Sequence, residues 1–260
     1  MFALQDGRYR VDTLLGQGEL TEVWSAHDSL LEGPRAIKLL KADLREDLVA
    51  RQRFLTEARS LARVTHRNVI RVYDMFHGDR GPALVTELAR GRVRDVEPAW
   101  PLAGRRAGEV VIQVLAGLGV LHGLGIVHRD LRPDNLLTSR TGAVLIADLA
   151  SARLEGESRL MKTEIGDQLG LALYVAPEAR SDPRRATAAS DVYSAGAVLY
   201  VLLTGNAPPD LSLLDIDDRI LNRLPEHFRP IVKRATARKP EDRFPSAGAM
   251  RDALQRVQNE

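Results

Sequence analysis

Ile126-Val127-His128-Arg129-Asp130-Leu131-Arg132-Pro133-Asp134-Asn135-Leu136-Leu137 sets charged and polar side chains between two apolar, strand-like ends. Pro133 interrupts regular structure, so the stretch predicts a loop mounted on a rigid base. Asp130 and Asn135, five apart, can divide two jobs: a carboxylate that accepts a proton and an amide oxygen that binds a divalent cation. Asp148 follows thirteen residues after Asn135, ending the apolar run Ala143-Val144-Leu145-Ile146-Ala147. A carboxylate closing a buried strand is a natural second ligand for the same cation.

Three upstream features can be read with that loop. Gly16-Gln17-Gly18-Glu19-Leu20-Thr21-Glu22-Val23 lies between two strand-like segments, where paired glycines either let backbone N–H groups approach a phosphate or simply make a hairpin turn. Fifteen residues beyond Val23, Arg35-Ala36-Ile37-Lys38 ends an apolar strand on a lysine. Only five of the 37 basic residues are lysine, which leaves 32 arginines. Glu57, three after Phe54 and four before Leu61, lies on or beside the inward face of a helix. A carboxylate there needs a cation or takes up a proton. Lys38 is the candidate, held ready for the phosphates of a nucleotide; the alternative is a Glu57 that reaches solvent.

Tyr9–Leu15, Thr21–His27, Arg35–Leu39, Val69–Phe76 and Ala83–Leu88 read as strands, with one amphipathic helix from Leu48 to Val64 among them. Beyond the joint Ala89-Arg90-Gly91 the clearest segments are helical: Glu109–Leu121, Ala189–Leu203, Pro225–Ala235 and Ser246–Val257. This is an α+β pattern of a small sheet-rich lobe with one helix, a hinge and a larger helical lobe.

With 260 residues, 44% apolar and 28% charged, the chain is neither disordered nor a small stapled scaffold. A net charge of +2 gives no bulk argument for nucleic acid. The arginines at 90, 92 and 94 and the pairs Arg105-Arg106 and Arg184-Arg185 read as solvated faces. No cysteine is present, so thiolate chemistry is excluded and a reducing cytoplasm is compatible. Val110–Val127 carries no charge, but Gln113, His122 and four glycines interrupt it, so a buried helix followed by a turn is expected rather than a membrane segment.

In this order, and with Ala176-Pro177-Glu178 and Asp191-Val192-Tyr193-Ser194-Ala195-Gly196 downstream, the motifs resemble a eukaryotic-like serine/threonine protein kinase of bacterial type, from Gly16 through Arg243. The resemblance implies a bilobal kinase fold with a small antiparallel sheet and one helix over 1–86, a hinge over 87–91 and a mainly α-helical lobe over 92–260. It implies ATP- and Mg2+-dependent transfer to Ser/Thr hydroxyls of a protein substrate, with Mn2+ as an alternative ion. Cytoplasmic localisation and a homodimer formed during autophosphorylation go with it. Lys38 would meet the α- and β-phosphates and pair with Glu57, while Asn135 and Asp148 would hold the metal. Asp130 would orient or deprotonate the acceptor, and Arg132 would keep a positive charge near the γ-phosphate. Gly16 and Gly18 would cover the phosphates. Val23, Ala36 and Leu137 would enclose the adenine, with Thr86 as gatekeeper and Glu87-Leu88-Ala89 as the hinge backbone. Leu61, Val72, His128 and Leu149 would stack as a spine, Glu178 would pair with Arg243, and Asp191 would brace the catalytic loop. Arg129 implies activation by phosphorylation, with Thr163 and then Ser158 as acceptors.

Four positions depart from that pattern. Thr21 replaces a third glycine, Ala150 follows Asp148-Leu149 where glycine is usual, Arg132 replaces a lysine, and Leu171 follows Gly170 where threonine is usual. The last two lie on the substrate side and predict unusual acceptor positioning. An ATP-binding pseudokinase acting as a scaffold is the rival reading. A small-molecule phosphotransferase ranks behind it, since it would not be expected to carry Ala176-Pro177-Glu178.

Overall fold

The β-branched and aromatic residues from Tyr9 onward form an antiparallel sheet in a computed structural model of the chain, which describes residues 1–149, 172–213 and 218–259. Its strands are β1 (Phe2–Leu4), β2 (Tyr9–Gln17), β3 (Thr21–Asp28), β4 (Gly33–Leu40), β5 (Val72–Gly78) and β6 (Gly81–Glu87), in the order β1-β2-β3-β4-β6-β5. Strand β1 goes beyond the sequence reading; three residues give too short a pattern, and pairing with β2 together with the edge-on contact of Phe2 with Trp24 at 5.3 Å holds it.

Helix α1 (Leu48–Ala62) starts where Asp47 accepts hydrogen bonds from the backbone N–H of Val49 and Ala50, at 2.8 and 2.9 Å. Its buried stripe is Ala50, Phe54, Ala58 and Leu61. The strand expected over Val69–Phe76 begins only at Val72. The backbone just before it turns to the other lobe instead: Ile146 N–H donates to Asn68 O at 3.0 Å, and Ile70 N–H to Ile146 O at 2.9 Å.

After β6 the chain leaves the first sheet, and β7 (Gly91–Arg92) already belongs to a second one with β8 (Leu136–Thr138) and β9 (Val144–Ile146). A short α2 (Val93–Val96) leads to α3 (Gly104–Gly123), which absorbs most of the uncharged run, and no helix among the described residues is long and apolar enough to cross a membrane. Then come α4 (Pro177–Ser181), α5 (Ala188–Thr204), α6 (Asp218–Leu221), α7 (Arg229–Ala235) and α8 (Ala247–Asn259). The helix expected over Pro225–Ala235 is instead a 3-10 turn, Glu226–Phe228, followed by α7, because Pro230 suits the first helical turn and not a helix interior. Helix α5 is buried on nearly all sides and ends at Gly205, whose φ of 72° is the left-handed cap that glycine adopts without strain.

Candidate active site

The turn between β2 and β3 carries Gly16, opposite Val23, and Gly18, whose N–H donates to Thr21 O at 2.8 Å. Neither glycine has a positive φ, so the turn itself does not demand them. A side chain on Gly16 would meet nothing within 4 Å, an opening that a phosphate approach and a plain hairpin both allow.

Lys38 lies on β4, across from Val23 on one side and Leu84 on the other. Its Nζ donates to Glu57 Oε1 at 2.8 Å and to Asp148 Oδ1 at 2.5 Å. The solvent-reaching alternative for Glu57 is therefore set aside. Burial lowers the lysine pKa, but the Asp148 and Glu57 charges outweigh it and hold the ammonium above its ordinary value. The two carboxylates diverge. Burial raises Glu57 above 4.5 despite Lys38, whereas the Lys38 charge holds Asp148 below 3.8 against desolvation. Asp148 thus stays the more firmly ionised anion of the pair.

The loop from His128 to Asn135 is built on a buried aspartate. Asp191 carboxylate oxygens accept from the backbone N–H of His128 at 2.8 Å and of Arg129 at 2.9 Å, and Oδ2 lies 2.8 Å from His122 Nε2. These bonds hold Arg129 at φ 68°, a conformation uncommon outside glycine. His128 Nδ1 accepts from Asp130 N–H at 3.3 Å, which leaves Nε2 as the protonated nitrogen that donates to Ala147 O at 3.2 Å. Asn135 Nδ2 donates to Asp130 O at 2.8 Å and Asp130 Oδ2 at 3.2 Å, so its Oδ1 is the atom left to bind a cation. Arg132 Nε stands 3.8 Å from Asp130 Oδ2, and its Nη1 donates to Asp134 at 3.1 Å.

Two groups of expected residues thus assemble, Lys38–Glu57–Asp148 and Asp130–Arg132–Asn135, and the Arg132 charge reaches Asp148 between them. Gly16 and Gly18 are hydrogen-bonded to neither. Ala36 faces Thr86 across β4 and β6, and Leu137 lies on β8, in the second sheet. Thr86 Oγ1 donates to Glu87 O at 3.3 Å, and the Glu87 carboxylate accepts from Arg71 N–H at 2.8 Å. Leu88 and Ala89 follow outside any strand, and Arg90 N–H donates to Thr138 O at 2.8 Å. Leu61, His128 and Leu149 are buried and Val72 half-buried. Glu178 pairs with Arg243 through two bonds of 2.7 and 2.8 Å. Ala150, Ser158, Thr163, Gly170 and Leu171 lie outside the described residues.

Sequence reasoning passed over two contributors. His122 registered only as an interruption of an apolar run, although a histidine on a buried helix face is itself a signal of a partner. Asn68 is 3% exposed and donates to Val144 O at 2.8 Å and Gln113 Oε1 at 3.2 Å, stapling the segment before β5 to α3 and β9. No group of three or more His, Cys, Asp or Glu among the described residues could hold a metal by itself. An amide oxygen and one ionised carboxylate fit a hard cation that takes its remaining ligands from phosphate and water.

The fold defines the class: over 98% of its length the chain superposes on the kinase domain of Mycobacterium tuberculosis PknI with a TM-score of 0.71, at 24% identity, as a bilobal protein kinase. The chain belongs to the protein kinase family, whose domain model, described as protein kinase domain, matches residues 9–250. It is of the bacterial, eukaryotic-like serine/threonine type. The serine/threonine-protein kinase PksC of Streptomyces coelicolor is 34% identical over 98% of this chain and 50% of its own length. PknL of Mycobacterium tuberculosis is 35% identical over 99% of this chain and 67% of its own, and PknB of the same species 34% over 97% and 43%. The chain therefore spans about half the length of the first of these relatives.

Proposed function

We propose that the chain transfers the γ-phosphate of ATP to serine or threonine hydroxyls of proteins, with residues 1–86 and 92–260 closing on the nucleotide about a joint at 87–91. The observation that carries this reading is Lys38 Nζ, held between Glu57 and Asp148 at the edge of the loop that presents Asp130 and Asn135. The ammonium is positioned to meet the α- and β-phosphates, Gly16 and Gly18 to cover them, and Val23, Ala36 and Leu137 to enclose the base beside Thr86 and the backbone of Glu87, Leu88 and Ala89. Asn135 Oδ1 and the Asp148 carboxylate would hold Mg2+, or Mn2+ in its place, which when bound neutralises charge on the β- and γ-phosphates. Asp130 accepts the proton of the attacking hydroxyl as its oxygen bonds to phosphorus and the bond to the departing ADP oxygen breaks. Arg132 contributes positive charge beside it.

A non-catalytic scaffold gives no reason for Asp130 and Asn135 to be locked together by the bonds described above. Arg129 Nε is buried without a hydrogen-bond partner among the described residues, which supports activation by a phosphate. Thr163 and Ser158 are the proposed acceptors, modified within a transient homodimer in the cytoplasm. The test is incubation with Mg2+ and ATP followed by mass spectrometry and radiolabel counting. Phosphate should appear at Thr163 and on a basic substrate protein, and Asp130→Asn should lower the rate on the order of 10³-fold. Equal labelling in the variant would refute the assignment.

A further inference from the structure

Asp134 has no part in the chemistry above, yet it is bonded to the residue beside the proton acceptor. Through Oδ2 it accepts from Arg132 Nη1 at 3.1 Å, and its Oδ1 lies 3.9 Å from Arg92 Nη1. Arg92 is fixed in β7 opposite Leu137, on the strand by which the chain leaves the loop. The loop backbone is equally restrained: Asn135 N–H donates to Arg132 O at 3.0 Å across the 3-10 turn Pro133–Asn135.

Arg132 Nε, at the other side of the same guanidinium, is buried and has no hydrogen-bond partner among the described residues; 3.8 Å to Asp130 Oδ2 is too long for one. An orphaned buried donor is costly and calls for an explanation. The guanidinium is planar and delocalised, so anchoring Nη1 also sets the direction of the Nε–H. The neighbouring phenol supplies no competing anion, since burial and then the Asp134 charge push Tyr174 up to about 12.

We infer that Asp134 is a positioning residue for phosphoryl transfer: it anchors Arg132 so that the unspent Nε–H is kept beside Asp130 for the anionic oxygens that reach that carboxylate. The inference rests on the kinase reading. No proton or electron pair moves at Asp134 or Arg132; both only orient and stabilise.

Asp134→Asn keeps the shape and removes the charge. In the full chain, kcat should fall about tenfold, with the KM for ATP within about twofold of wild type. In an Arg132→Lys background the same change should alter kcat by less than about twofold, because a compact ammonium has no fork for Asp134 to orient. Equal losses in both backgrounds, or an unchanged kcat in the first, overturn the inference. A second readout is independent of turnover: the Arg132 Nε–H resonance, assigned by its loss in Arg132→Lys, should show a rigid order parameter that drops below about 0.6 in Asp134→Asn. If the wild-type chain transfers no phosphate, the kinase reading falls by itself and this measurement decides; an order parameter unmoved by Asp134→Asn overturns the anchoring.

Discussion

Lys38 is one of five lysines among 37 basic residues, and its contacts explain why arginine does not stand there. A point-like ammonium can sit between Glu57 and Asp148 at 2.8 and 2.5 Å, whereas a planar fork would have to displace one of them. The charge-preserving change Lys38→Arg should therefore lower kcat/KM for ATP on the order of 10²-fold, while Lys239→Arg, at an exposed position, leaves it unchanged. Steady-state kinetics on the two purified variants check this, and full activity in Lys38→Arg would remove the geometric argument. The candidacy of Lys38 and Glu57 was legible because each stood out locally, one by rarity and one by its place beside an apolar stripe. Asp134 was not legible, since an aspartate two residues from an arginine has many exposed partners to choose from.

At the scale of elements, the helical period located α1, α3, α5 and α8, because a buried stripe recurs along the sequence wherever one face meets a core. What the period could not show is which helix positions meet a foreign backbone. Gly117 and Gly119 look alike in the sequence of α3. A Cβ on Gly117 would lie 2.7 Å from Asn68 O and 2.8 Å from Ile146 Cδ1, whereas one on Gly119 would meet nothing within 4 Å. Gly117→Ala should cost about 1–3 kcal/mol by overpacking. Gly119→Ala should stabilise by about 0.5–1 kcal/mol, since alanine loses less backbone freedom in a helix. Urea unfolding of both variants reads the opposite signs directly; two losses, or two gains, would contradict the packing described for α3. The same limit explains the late start of β5: Val69 and Ile70 have strand-like side chains, but their neighbourhood bonds to Ile146 instead.

Across the whole molecule, long-range ion pairs join segments whose separation no local pattern reveals. Glu178 and Arg243, 65 residues apart, are nearly inaccessible, with side chains 7% and 0% exposed. Burial raises the glutamate pKa, but hydrogen bonds from Arg243 and Ser190 outweigh it and leave the carboxyl below 4.5. Its stabilisation is thus complete above that value and fades as pH falls through the lower folded-state one. Glu178→Gln, which leaves a buried guanidinium without its anion, should cost about 3–5 kcal/mol at neutral pH. Urea titrations at about pH 7 and pH 3 should show the gap narrowing in acid, as the wild-type glutamate takes up its own proton. By itself the sequence determined the family, the order of its motifs and most of the elements, because periodicity and motif spacing are properties of neighbours along the chain. Only the tertiary structure decided that Lys38 meets Asp148 across 110 residues, that Asp191 holds the loop through His128 and Arg129, and that Asp134 turns to Arg132. Charges act through distance, and packing alone sets that distance.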